Sequence, residues 1–242
     1  GRATPASSGI LSGVVSKGYI VFLIKVIYQV IGIDVFAASG IQTVLLLFGI
    51  GGMIAGSVSA IFARRLTTMI AFSSAAQIGY IYMGLGMGTE AALGAVLFQI
   101  VSHALTKPML FLSGADLMAV SGGHHRSPDA GCVFTVGALS MVGIPIFAGF
   151  IPKLYFAAAA FHMGWRTWAV LLALALSTLL NVLYFLYTTL LLWVPETGEK
   201  RDRRLKWAAV PGLVFAALNI AVGLRSYGLM DLFRQGMDLF CQ

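Results

Sequence analysis

Apolar runs of about 20 residues, the length a helix needs to cross a bilayer, follow one another along almost the whole chain. Inside three of these runs sit four lysines: Lys17, Lys25, Lys107 and Lys153. Runs of this length predict an all-α integral membrane protein, because a helix satisfies its own backbone groups where no water can. Composition agrees: 59% of the 242 residues are hydrophobic and 10% are charged, against roughly 25% charge in a soluble chain.

Hydropathy places seven spans at about 9–31, 40–63, 67–87, 90–120, 131–162, 166–194 and 205–224. Residues 1–224 thus read as one transmembrane domain and 225–242 as an amphipathic tail. In that tail Leu229, Leu232, Phe233, Met237 and Phe240 share a helix face suited to the membrane surface. The 28 glycines suit close helix packing in lipid.

A net charge of +7 would suggest nucleic acid on a soluble chain, but here the positive residues cluster in short loops. One side carries Arg2, Arg64, Arg65, Arg126, Lys200, Arg201, Arg203, Arg204 and Lys206; the other carries Arg166, Arg225 and Arg234. The bias makes the first side cytoplasmic, so the chain starts inside and ends outside. The expected location is the inner membrane of a prokaryotic cell. The opening GRATPASS has no signal-peptide pattern and reads as a chain cut in mid-protein. Two distant cysteines, Cys132 and Cys241, have no metal or redox spacing, and an iron–sulfur cluster usually takes about four. No cofactor is expected in this chain.

Two spans are irregular. The fourth carries Pro108 in its middle, and the fifth holds Gly143, Pro145, Gly149 and Pro152 in one short stretch. Proline removes a backbone donor, and the bare groups so created must line protein or a water cavity. Broken helices of this kind mark ion sites in transporters. In the fourth span, Pro108 frees a carbonyl near Ala104 where water can bind.

A charged residue at the centre of a spanning helix costs about 2.5–3.5 kcal/mol and normally faces the bundle interior. Lys25 lies near a span end and reads as an interfacial side chain that snorkels to water. Lys17 lies deeper. Gln99, His103 and Lys107 are spaced i, i+4, i+8 and fall on one face of the fourth span. Glutamine holds water, histidine titrates near neutrality, and a lysine removed from water gives up its proton more readily. Together they form a candidate proton relay; the bland alternative is a polar stripe that holds helices together. Lys153 follows the broken stretch, where it can meet freed carbonyls or anchor a helix end. Asp116 could pair with a lysine or meet water. His124 and His125 read as a solvated loop, and His162 as interfacial.

Four stretches resemble one family, the antiporter-like membrane subunits of respiratory complex I, Mrp-type sodium/proton antiporters and energy-converting hydrogenases. They are TPASSGILSGVVSKGYIVFLIKV, IAFSSAAQIGYIYMGLGMGT, LFQIVSHALTKPMLFLSGADL and VGALSMVGIPIFAGFIPK. The resemblance covers most of residues 4–160. It implies a chain running from the family's eighth span onward, with the second five-helix inverted repeat in its second to sixth spans. It implies that Lys17 links two half-channels, that Lys107 with His103 is the central relay, and that Lys153 gates the outer exit. Gln99 stands where many members have histidine, Arg65-Leu66-Thr67-Thr68 where an Asp-x-Lys-Arg loop is common, and Pro108 where relatives have a small or aliphatic residue.

The function expected is proton or cation translocation in a multi-subunit complex, its redox chemistry, as in an NADH-quinone oxidoreductase, lying in other subunits. The alternative is a Mrp-type antiporter subunit with no redox partner. Expected partners are other membrane subunits, including the missing N-terminal half of this chain, with protons or Na+ as the cargo and no nucleic acid. An independent solute carrier lacks an evident solute pocket. An intramembrane hydrolase using Ser39 and His103 lacks a nucleophile context.

Overall fold

The computed structural model describes residues 4–120, 128–161, 163–193 and 210–240. His124, His125, Arg126, His162, Cys241, Arg2 and the basic run 200–206 lie outside them, as does the side chain of Asp116.

Among the described residues every element is helical. The first rod, residues 5–31, is made of α1 (Pro5–Ile10), a π segment (Leu11–Val15), α2 (Ser16–Lys25) and a second π segment (Val26–Ile31). Then come α3 (Ile33–Ala38), α4 (Ile41–Ile61), α5 (Leu66–Met87), α6 (Glu90–Val120), α7 (Pro128–Val142), α8 (Phe150–Ala160), α9 (Trp165–Trp193), α10 (Val210–Leu224) and α11 (Ser226–Phe240).

By length and composition alone, four of the described helices are long and apolar enough to cross a membrane, or five if a bent pair counts as one span. The expectation was seven, and the reasons for the difference are local. The 22-residue α5 has the length, but Thr67, Thr68, Ser73, Ser74 and Gln77 dilute its hydropathy. The fifth span is split into α7 and α8 by the Gly143–Gly149 break. The described part of the seventh is 15 residues long. Large apolar side chains exposed on the outside, such as Tyr19, Phe22, Phe48, Leu172 and Leu179, are what a lipid-facing surface requires.

Helices α4 and α5 meet through glycine. A Cβ on Gly79 would lie 2.7 Å from the Gly49 carbonyl oxygen and 2.8 Å from Met53 Cα, and one on Gly56 would lie 2.9 Å from Ala76 Cα. Only hydrogen fits between two backbones this close, so packing rather than hydrophobic exclusion holds the pair in lipid. Gly79→Val is expected to destabilise the protein by about 1–3 kcal/mol through overpacking, seen as a lower unfolding temperature in detergent. An unchanged melt would show that the pair separates freely.

Helix α11 turns 77° from α10. Its packing face is centred on Met230, Phe233 and Met237: the two methionines are buried, and Phe233 meets Phe98 of α6 edge to face. Leu232, expected on the apolar face, is 60% exposed, because the buried stripe lies about 100° around the helix from it.

Candidate functional site

Lysine 17 owes its position to the first π segment. The wide turn ends with Ser16 N–H donating to Leu11 O. The Ser12 carbonyl then accepts from Ser16 Oγ at 2.9 Å and from Lys17 Nζ at 2.7 Å. Such bulges concentrate at functional sites. Ser12 Oγ crosses to α5 and donates to Ser74 Oγ at 2.8 Å, and Ser74 Oγ donates to the Ile70 carbonyl at 3.1 Å. Lys107 Nζ reaches the same carbonyl at 3.0 Å and Ser73 Oγ at 2.6 Å. Lys17 and Lys107 are therefore linked through Ser12, by its carbonyl on one side and its hydroxyl on the other, then Ser74 and the Ile70 carbonyl: two serines and two backbone oxygens. A cleft of about 540 Å³ runs beside this link, lined by Ser8, Ser12, Ser16, Thr67, Thr68 and Ser74 among others.

Helix α6 passes through Pro108 without a break. The freed Ala104 carbonyl and the proline ring face the first rod: a Cβ on Gly13 would lie 2.9 Å from Pro108 Cγ and 3.3 Å from Ala104 O. The space expected to hold water beside that carbonyl is thus taken by the rod, which approaches closely because residues 9 and 13 are both glycine.

Gln99, His103 and Lys107 are all buried, at 3%, 1% and 0% exposure. Their partners lie along one face of the antiparallel α5. Lys107 meets Ile70 and Ser73, and Gln99 Nε2 donates to Gln77 Oε1 at 2.6 Å. This register puts His103 between them, and neither of its ring nitrogens has a hydrogen-bond partner. Gln77 Nε2 and Tyr80 Oη are likewise buried and unpartnered. Orphan buried polar groups are where internal water is held.

One turn past Gln77, the ring of Tyr80 faces Lys153, whose Nζ is 5.7 Å from the ring centre. Lys153 Nζ donates to Met141 O at 3.0 Å and Val142 O at 2.7 Å, the last carbonyls of α7. A cation at a helix C-terminus is favoured by the helix dipole. Gly143 has φ +94°, and a Cβ there would sit 3.1 Å from Lys153 Cδ. Both backbone shape and space therefore require glycine. From Ile70 to Tyr80 the α5 face spans about 15 Å, and it brings Lys17, Lys107, His103, Gln99 and Lys153 onto one line.

The break itself is held by a second network that sequence reasoning missed. Ser140 Oγ accepts from Gly149 N–H at 3.2 Å, and Asn219 Oδ1 accepts from Ala148 N–H at 3.3 Å. Asn219 Nδ2 donates to Thr106 Oγ1 at 2.9 Å. Pro145 is exposed within the break, and Pro152 is buried in the first turn of α8, where a missing N–H is tolerated.

Other candidates stay apart from this line. Lys25 is exposed. Ser39 Oγ donates to Phe36 O at 2.9 Å in the α3–α4 connection, with no link to His103. Cys132 is a free, exposed thiol.

The sequence matches, over residues 2–180, the family described as NADH:quinone oxidoreductase/Mrp antiporter, TM. The chain belongs to that family. Among relatives, the NADH-quinone oxidoreductase subunit N of Desulforudis audaxviator is 31% identical over 199 residues, 74% of this chain and 39% of the relative. Subunit N 2 of Solidesulfovibrio magneticus is 29% identical over 81% of this chain and 43% of its own length. The chain thus spans about two fifths of these relatives. Among solved structures, that of the Mrp complex from Dietzia sp. DQ12-45-1b matches with TM-score 0.82 and 25% identity, covering 95% of this chain and 52% of the other. An archaeal membrane-bound sulfane sulfur reductase shares the fold, with TM-score 0.73 over 89% of this chain and 38% of the other. These matches establish an all-α integral membrane protein with the antiporter-like fold.

Proposed function

We propose that this family member is the ion-translocating part of a subunit in a multi-subunit membrane complex, and that protons pass along Lys17, Lys107, His103, Gln99 and Lys153. The observation that carries this reading is the link from Lys17 through Ser12, Ser74 and the Ile70 carbonyl to Lys107, half-buried at Ser12 and buried from Ser74 to Lys107. Two lysines held on backbone carbonyls inside a membrane, Lys17 on Ser12 O and Lys107 on Ile70 O, cost stability that a purely structural contact does not need. The hydroxyls of Ser16 and Ser73, at 3.1 and 2.6 Å from the two ammonium groups, are groups that can exchange a proton, while the Ser12 and Ile70 carbonyls only accept and hold the ammonium groups in place. Lys17 receives from the preceding half of the full-length protein, Lys107 and His103 relay, and Lys153 releases toward the face that carries Arg166. Gln99, paired with Gln77, holds water in the line and does not itself take up a proton.

Within the family two driving reactions fit, redox chemistry in partner subunits or exchange with a second cation. The names of the subunit N relatives favour the first, and the Mrp complex favours the second. The test is purification of the full-length protein from native membranes, with co-purifying chains identified by mass spectrometry and the absorbance spectrum recorded, followed by reconstitution with an entrapped pH dye. Quinone-driven proton movement with flavin and iron–sulfur bands is the expected result. A sodium-dependent pH change with no chromophore selects the Mrp-type alternative. No ion movement under either drive sinks the reading.

A further inference from the structure

Helix α9 carries a second polar stripe that the relay does not use. Ser177, Asn181, Tyr184, Thr188 and Thr189 recur at helical spacing, and four of the five are buried: Ser177 and Asn181 at 0%, Tyr184 at 5% and Thr189 at 6%. The stripe covers about 18 Å by helical rise. Its deep end reaches Tyr80, whose ring faces Lys153. Ser177 Oγ lies 3.2 Å from Ser57 Oγ of α4, and the hydroxyl of Tyr80 lies beside Ser177 and Thr178. Its shallow end runs toward the face that carries Arg64 and Arg65: Thr188 Oγ1 meets Met69 Sδ, in the first turn of α5, at 3.5 Å.

Polar side chains between membrane helices usually serve as glue, and glue is paired. Part of this stripe is: the Tyr184 hydroxyl donates to Asn181 Oδ1, and Ser57 Oγ donates to Met53 O at 2.8 Å. Three groups are not. Asn181 Nδ2, Thr189 Oγ1 and Tyr80 Oη are buried with no partner of hydrogen-bond geometry. An orphaned buried group costs about 1–3 kcal/mol, and internal water making two to four bonds removes that cost. The three orphans mark the two ends and the middle of the stripe.

We propose that the α4–α5–α9 interface holds a chain of water running from the Arg64–Arg65 face past Thr189, Asn181 and Ser177 to Tyr80, and that it delivers protons to the Lys153 end of the relay. The proposal rests on the ion-translocating reading for its second clause only. It gives Lys153 a proton source that bypasses Lys17 and the preceding half of the protein. The ligand is water, and the cargo a proton; an amide, three hydroxyls and a phenol form no charged site for a metal cation.

Two measurements on the full-length protein in its native complex test it. The first is electron cryomicroscopy at a resolution that shows ordered water. Density within hydrogen-bond distance of Asn181 Nδ2, Thr189 Oγ1 and Tyr80 Oη is the expected result; the same three groups bonded to protein with no water between them overturns the proposal. This readout does not depend on translocation, so it separates failure of the branch from failure of the relay. The second is proton flux in proteoliposomes. Asn181→Leu is expected to slow flux about tenfold in assembled complex, with Asn181→Ser restoring most of it, since serine still binds water. A merely structural asparagine would change assembly and melting without this rescue pattern. Wild-type flux in Asn181→Leu would show the stripe is wet without conducting, and would overturn the delivery role.

Discussion

Lys107→Ala is expected to stop ion translocation by the assembled complex, a loss of at least about 100-fold, while the subunit still folds and assembles. Two features argue for this separation. The Ile70 carbonyl that Lys107 meets keeps two other donors, Ser73 Oγ at 2.8 Å and Ser74 Oγ at 3.1 Å. Removing the ammonium therefore orphans no backbone group. Truncating a long buried side chain leaves a cavity worth about 2–5 kcal/mol, but it also removes a cation whose burial costs about 2.5–3.5 kcal/mol. The two largely offset. The proposed relay has no such compensation, because Lys107 is the titratable group that lies one helical turn from His103 on α6 and meets the Ile70 carbonyl at the end of the Lys17 link. Dye-reported proton uptake in proteoliposomes, beside a native gel of the complex, reads both quantities. Wild-type uptake in a correctly assembled mutant would remove Lys107 from the pathway.

Much of this line was legible in the chain. The 3.6-residue period puts Gln99, His103 and Lys107 on one face before any coordinates are known, and the cluster of Gly143, Pro145 and Gly149 announces a break. The partners were not legible, although their segment was. FSSAAQIGY places Ser73, Gln77 and Tyr80 on one face of α5, a polar stripe inside an apolar run. Which helix that stripe meets is decided by the fold: the antiparallel register of α5 and α6, set by the two-residue connection between them, brings Ile70 to Lys107 and Gln77 to Gln99. The π segment beside Lys17 has no sequence mark beyond Ser12, Gly13 and Ser16. Asn219 and Ser140 were hidden for another reason. Each is a single polar residue among apolar ones, and only tertiary contact shows that both hold the break.

Lys153 separates structural from proton-exchanging roles more sharply than any other residue on the line. Its Nζ is the donor that the Met141 and Val142 carbonyls find at the end of α7. Lys153→Ala is expected to cost stability, about 1–3 kcal/mol for each carbonyl left unpaired in the interior, and to abolish translocation as well. By itself that result would not distinguish a cap from a conductor. Lys153→Arg does. Arginine keeps the positive charge at the helix terminus and supplies donors for both carbonyls, so folding and assembly are expected to stay close to wild type. It cannot give up its proton in a protein, so a side chain that must release one toward the outer face is frozen in its charged form. The expected outcome is a melting profile near wild type with translocation reduced at least about tenfold. The check is a thermal melt and a proteoliposome flux assay on the same preparation. Flux at the wild-type rate in Lys153→Arg would mean that Lys153 only ties down the broken helix, and that protons leave the relay at Tyr80 or before it.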